Sequence, residues 1–138
     1  MPLDSLTSRL RFVSAELARE PGSRIHVQVK IEQAGRAFYA KAEGVGLEAV
    51  ELRLAAHATL AAVNEATGNA SNFRFVGIKR LHTFDADVVL VSLRDENHGG
   101  YPLIGAVPVR GGLVYAAVLA VLSAVPVAAP SQRVRAVA

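Results

Sequence analysis

Two alanine-rich segments of this chain, 62 residues apart, match at five of nine positions. Ala55 to Val63 reads AAHATLAAV and Ala117 to Val125 reads AVLAVLSAV, with identities at Ala55/Ala117, Ala58/Ala120, Leu60/Leu122, Ala62/Ala124 and Val63/Val125. Each segment follows residues that alternate like strands, so the repeated unit reads as a strand pair followed by a helix. A chain built this way makes its core from two related halves. Duplication speaks to core and interface rather than to chemistry, and no catalytic constellation stands out beside it.

The 138 residues suffice for one domain with its own hydrophobic core. The expected division is an N-terminal helix over 1–22, a duplicated domain over 23–127 and a flexible tail over 128–138. Cysteine is absent, which removes disulfides, thiolate metal sites and thiol nucleophiles. The opening MPLDSLTSRLRF carries Asp4 and Arg9 and has no unbroken apolar stretch, so it does not read as a secretory signal, and the expected location is the cytoplasm. The most apolar run, Leu113 to Val125, ends at Pro126, well short of the roughly 20 residues that cross a bilayer. No membrane partner is expected. The net charge is +3, but twelve arginines and three lysines are interleaved with twelve acids and the only adjacent basic pair is Lys79-Arg80. Without an aromatic-rich strand beside them, nucleic acid is not an expected partner.

Along the chain, Asp4 can cap a first helix with Leu6, Leu10, Val13 and Leu17 on one stripe, ended by Pro21-Gly22. From Ile25 the period becomes two: Ile25, Val27, Val29 and Ile31 alternate with His26, Gln28, Lys30 and Glu32. Gln33-Ala34-Gly35 turns the chain, and Phe38, Ala40 and Ala42 complete a hairpin. Leu47 to Ala66 follows as a helix, with Leu47, Val50, Leu54, Ala58 and Ala61 as its packing stripe and Glu48, Glu51 and Arg53 on its polar face. Further strands are predicted over 73–84, 86–93 and 103–109. The run Val88 to Val91 is apolar on both faces, which suits a central strand, and Pro108 suits an edge or a strand end. The helix after Gly111-Gly112 is apolar nearly all round, so it needs cover on two sides. One cover is a sheet, and the other is the first helix or a partner subunit.

This order of elements, from Arg24 to about Val125, resembles the carboxy-terminal regulatory (dimerisation) domain of isopropylmalate and citramalate synthases. AEGVGLEAVELRLAAHATLAAVN is similar to that family's first glycine turn and helix, and FDADVVLVSL to a later strand. The resemblance implies two strand-strand-strand-helix units, a dimer, and an end-product amino acid bound near the dimer interface. A weaker topological likeness runs to the roadblock/longin class of dimeric scaffold modules.

Candidate chemistry is sparse. His26, His57, His82 and His98 form no HxH or HExxH pair, so no metal is expected and no cofactor is called for. His57 on its alanine-rich helix reads as a packed or interface histidine and His98 as a solvated one. Asp85 and Asp87 would share a strand face near His82, an arrangement that could serve acid-base work, although a polar entry to a buried strand is the plainer explanation. Two glycine turns, Gly44-Val45-Gly46 and Gly111-Gly112, each precede a helix whose N–H groups and dipole could hold an anion. Glu48 competes with an anion at the first, so the second is the better site, with Arg110 beside it and Tyr115 within reach.

The expectation is therefore an α+β fold, mostly antiparallel sheet, with two strand-strand-helix units. The expected function is a non-enzymatic regulatory or assembly module that forms a homodimer and binds a small anionic metabolite through Gly44, Gly46, Arg110, Gly111, Gly112 and Tyr115. The alternatives are a scaffold with a protein partner and no ligand, or a small enzyme using the Asp85/Asp87 region.

Overall fold

The duplication extends beyond the helices to whole strand-strand-strand-helix units. The computed structural model describes residues 10–68 and 72–126. The first unit consists of β1 (Arg11–Glu20), β2 (Arg24–Gln33), β3 (Arg36–Val45) and α1 (Glu48–Ala66). The second consists of β4 (Phe73–Thr83), β5 (Ala86–Asp95), β6 (Tyr101–Pro108) and α2 (Leu113–Ala124), with a short 3-10 turn at Glu96–His98. The fold is α+β, with two separate antiparallel sheets, β1-β2-β3 and β4-β5-β6, rather than a single one.

The helix expected over the first 22 residues is corrected across Arg11–Glu20, which pairs with β2 from Arg11↔Glu32 to Glu20↔Arg24. Asp4 and Leu6, the proposed start of that helix, lie outside the described residues. A β-bulge explains the misleading spacing. Ladder register shifts between Phe12 and Ser14, leaving Val13 as the extra residue. Leu10 and Phe12 face the core before the bulge and Ala15 and Leu17 after it. An interrupted period of two places Leu10 and Leu17 seven apart, which is also two turns of a helix. β4 repeats the device: its register shifts between Phe75 and Gly77 around Val76. The bulges fall in Arg11-Phe12-Val13 and Arg74-Phe75-Val76, a second sequence match between the halves.

The remaining strands follow their residues. Ile25, Val27, Val29 and Ile31 of β2 and Val89, Val91 and Leu93 of β5 are buried on the central strands. β6 is an edge strand and Pro108 ends it, where its missing N–H breaks no ladder.

Each helix packs on the last two strands of its own sheet, on the first strand of the other sheet and on its sister helix. The apolar surface of α2 is thus covered within one chain: Ala116, Ala117, Val118, Ala120, Val121, Leu122 and Ala124 are all buried. α1 is buried more widely than the predicted stripe, through Leu52, Ala55, Ala56, Thr59, Leu60, Ala62 and Val63 as well as Leu54 and Ala58. Leu47 instead precedes the helix as its N-cap and is 62% exposed, and Ala61 faces out. The hydroxyl of fully buried Thr59 donates to the Ala55 carbonyl at 2.6 Å, so its burial leaves no polar atom unpaired.

The two helices cross their sheets at different heights. α1 lies over Gly44, where a Cβ would stand 3.0 Å from Val50 and 3.3 Å from Leu54, whereas α2 lies over Gly105, where a Cβ would meet the Ala120 carbonyl at 2.1 Å. The matched residues accordingly sit at different positions along their helices, Ala55 being the eighth residue of α1 and Ala117 the fifth of α2. The tail over 128–138 lies outside the described residues.

Candidate functional site

The two sheets differ most on the faces turned away from the helices. In the first sheet the outer rows read Ser14-Lys30-Tyr39, Glu16-Gln28-Lys41 and Ala18-His26-Glu43. This face is solvated and laced with cross-strand pairs: Arg11 with Glu32 at 2.8 Å, His26 with Glu20 at 3.1 Å and Arg24 with Glu43 at 3.5 Å. In the second sheet the equivalent rows, counted from the bulge, read Gly77-Ser92-Ile104, Lys79-Leu90-Ala106 and Leu81-Val88-Pro108. Leu81, Val88 and Leu90 are half-buried but do not pack on the core, and Ile104 is 58% exposed. The apolar inner face and this apolar outer face together account for the run in β5 that is apolar on both sides.

Gly77 leaves a depression in the outer face. Gly77, Ile78, Lys79, Leu90, Ser92 and Ile104 line a groove of about 280 Å³. Its walls are apolar apart from the Lys79 ammonium and the Ser92 hydroxyl, neither of which has a hydrogen-bond or ion-pair partner among the described residues. A side chain at Gly77 would meet nothing within 4 Å.

At the far end of the same sheet the β4-β5 hairpin turns at Phe84 and Asp85, with φ of 52° and 59°. Both central residues of this two-residue turn are left-handed, as hairpin twist demands, yet neither is glycine or asparagine. Phe84 is 97% exposed. A bulky aromatic held at positive φ in full contact with water is unfavourable on both counts.

The carboxylates proposed for acid-base work are separated by this turn. Asp85 lies in the turn itself while Asp87 lies on β5 opposite His82, so the two do not share a strand face. Asp87 accepts from Arg80 at 3.2 Å and pairs with His82 Nδ1 at 3.2 Å, and Arg80 reaches on to Glu48 of α1 at 3.1 Å. The hydrogen bond to His82, followed by that to Arg80, holds the Asp87 carboxyl below its ordinary range. The Arg80 guanidinium is held above its own range, first by its bond to Asp87 and then by the nearby charge of Glu48. These groups form an exposed ion cluster that ties α1 to the second sheet, and Asp87 within it is a poor proton acceptor near neutral pH. His57 packs its ring on Phe75 with centroids 4.6 Å apart. The side chain of His98 lies outside the described residues. Among the described residues no group of three or more His, Asp or Glu side chains is placed to hold a metal ion.

The two glycine turns fare differently as anion sites, and they lie at the starts of different helices. At the first, Gly46 N–H donates to the Ser23 carbonyl at 2.7 Å and Leu47 N–H to the Val45 carbonyl at 2.9 Å. Gly44 is packed under α1, while Glu48 and Glu51 are paired with Arg80 and Arg19. At the second, Gly112 is the N-cap at φ 104°, no side chain caps the helix and its first turn has no acid. Arg110 is exposed beside it without a partner among the described residues. Tyr115 packs edge-on to Phe12 at 5.1 Å and lies against Gly111.

No family model matches this chain and no curated protein matches it. Among the described residues no helix is long and apolar enough to cross a membrane.

Proposed function

We propose that this chain is a non-enzymatic assembly module of the cytoplasm that works as a homodimer, joined through the outer face of its second sheet. One observation carries the proposal: in the matched outer rows Gln28, Lys41, His26 and Glu43 of the first sheet give way to Leu90, Ala106, Val88 and Pro108 of the second, which leaves Lys79 as the one charged side chain in those rows. Two copies of one unit differing in this way differ in what covers them. Water suffices for the first, while the second leaves Leu81, Val88, Leu90 and Ile104 for a partner to bury. A second copy offers the same row spacing and the same apolar residues, which makes the contact self-complementary. The dimer expected from the sequence is kept, but its location moves, since α2 is covered inside its own chain. Sedimentation equilibrium between 1 and 100 µM tests this: dimers are expected, and a monomer throughout would overturn the reading.

A regulatory role rests on the resemblance to the synthase regulatory domain and on the start of α2. Arg110, Gly111 and Gly112 combine a free guanidinium with an uncapped helix N-terminus, a suitable setting for a small carboxylate or phosphate. A thermal-shift screen of amino acids, keto acids and nucleotides tests it. A hit at a hundredfold over its dissociation constant adds about 2.7 kcal/mol, and Arg110→Ala is expected to abolish that gain. A flat screen on dimeric protein would leave a scaffold without a ligand.

A further inference from the structure

Resting on that homodimer reading, we infer that the hairpin tip of each protomer docks in the groove of the other: Phe84 fills the space beside the partner's Gly77, and Asp85 pairs with the partner's Lys79. The second sheet carries an unexplained knob at its β4-β5 tip and an unexplained hole in its outer face. Phe84 is 97% exposed and left-handed, and neither feature helps the isolated chain. The open groove at Gly77 offers about 280 Å³, room for a phenyl ring, beside Leu90 and Ile104.

Charge points the same way. The residue after the knob is a carboxylate, and the groove has an ammonium on its rim and a hydroxyl in its wall. Asp85, Lys79 and Ser92 have no partners among the described residues, so each can meet a group of a second chain. An occupant carrying an exposed aromatic next to an acid satisfies every one of these groups, and this chain presents that pair on the same sheet.

The positions close under two-fold symmetry. Gly77 and Phe84 are seven residues apart, about 23 Å along a strand. A two-fold axis in the plane between the faces, crossing β4 between Arg80 and Leu81, sets each Phe84 over the partner's Gly77. The same operation brings Leu81, Val88 and Leu90 at the centre against their counterparts, and sheets stacked about 10 Å apart interdigitate such side chains. Each protomer gives one knob and receives one, so the contact is closed rather than propagating.

The experiment measures dimer dissociation by sedimentation for the wild type, Phe84→Asn, Gly77→Val, Lys79→Glu, Asp85→Lys and the double charge swap. Asn tolerates the left-handed turn, and a side chain at Gly77 has open space, so both variants fold. Phe84→Asn and Gly77→Val are each expected to weaken the dimer at least tenfold. Each charge reversal is expected to weaken it several-fold, and the double swap to restore it. Because the chain has no cysteine, Phe84→Cys combined with Gly77→Cys should yield a dimer linked by two disulfides on oxidation. A dimer that survives Phe84→Asn and Gly77→Val unchanged but is lost in Leu90→Asp would overturn the knob and groove while sparing the face. A wild-type monomer would overturn both.

Discussion

Asn64, near the end of α1, holds both backbone groups of Phe73, the first residue of β4. Its amide nitrogen donates to the Phe73 carbonyl at 3.1 Å and its carbonyl oxygen accepts from the Phe73 N–H at 3.0 Å. The side chain takes the place of a neighbouring strand and ties the end of one unit to the start of the next. Asn64→Ala leaves both groups of a buried residue without these partners and is expected to cost about 2 kcal/mol, read by urea denaturation. Asn64→Asp keeps the acceptor but loses the donor, and should fall between the two.

Gly105 of β6 lies directly beneath α2. A methyl group there would stand 2.1 Å from the Ala120 carbonyl, 2.6 Å from Ser123 Oγ and 2.9 Å from the Ala124 nitrogen. Because two of these three atoms are backbone, α2 must lift bodily to accommodate it. Gly105→Ala is expected to lose about 3 kcal/mol or more, measured by thermal unfolding, whereas Gly77→Ala on β4 should be nearly neutral toward folding.

Phe84 sits where asparagine or glycine is preferred. Phe84→Asn relieves the left-handed strain of a bulky residue and is expected to stabilise the fold by about 1 kcal/mol. This gain should appear at concentrations low enough for the wild type to be monomeric. The same substitution weakens self-association, so stability and assembly move in opposite directions.

Asp87 has its carboxyl depressed by His82 and Arg80. A group whose pKa is lower in the folded state contributes stability above its unfolded pKa, and loses it as pH falls through the folded value. The melting-temperature difference between wild type and Asp87→Asn is therefore expected to be full at pH 6 and to shrink below about pH 4. A difference that stays constant down to pH 2 would show that the ion cluster does not act through this carboxylate.

Much of this architecture was legible residue by residue. The alternation from Ile25 to Ile31, the turn at Ala34-Gly35 and the apolar run of β5 each specify their element locally, because period and turn chemistry are properties of a few neighbouring residues. β1 was not legible in the same way. A bulge belongs to a pair of strands, and one inserted residue made Leu10, Val13 and Leu17 resemble a helical stripe. The shared Arg-Phe-Val at residues 11–13 and 74–76 was the available signal, since it matches the missed strand to one that was read correctly.

The candidate surface was half visible. That Val88 to Val91 is apolar on both faces can be read directly, but only the register places Gly77, Lys79, Leu90, Ser92 and Ile104 around one groove and leaves the second face open. The glycine turns looked alike in sequence and differ in space, because Ser23 and Val45 accept the N–H groups of the first.

By itself the sequence determined the α+β class, the duplication, the hairpins and the apolar character of both helices and of β5. These follow from periodicity and turn preference, which act over distances of a few residues. Only the tertiary structure decided that there are two sheets, that α2 is covered within its own chain and that the outer face of the second sheet stays open. Cover depends on which elements meet across the chain, and that outcome is set by packing all six strands and both helices at once.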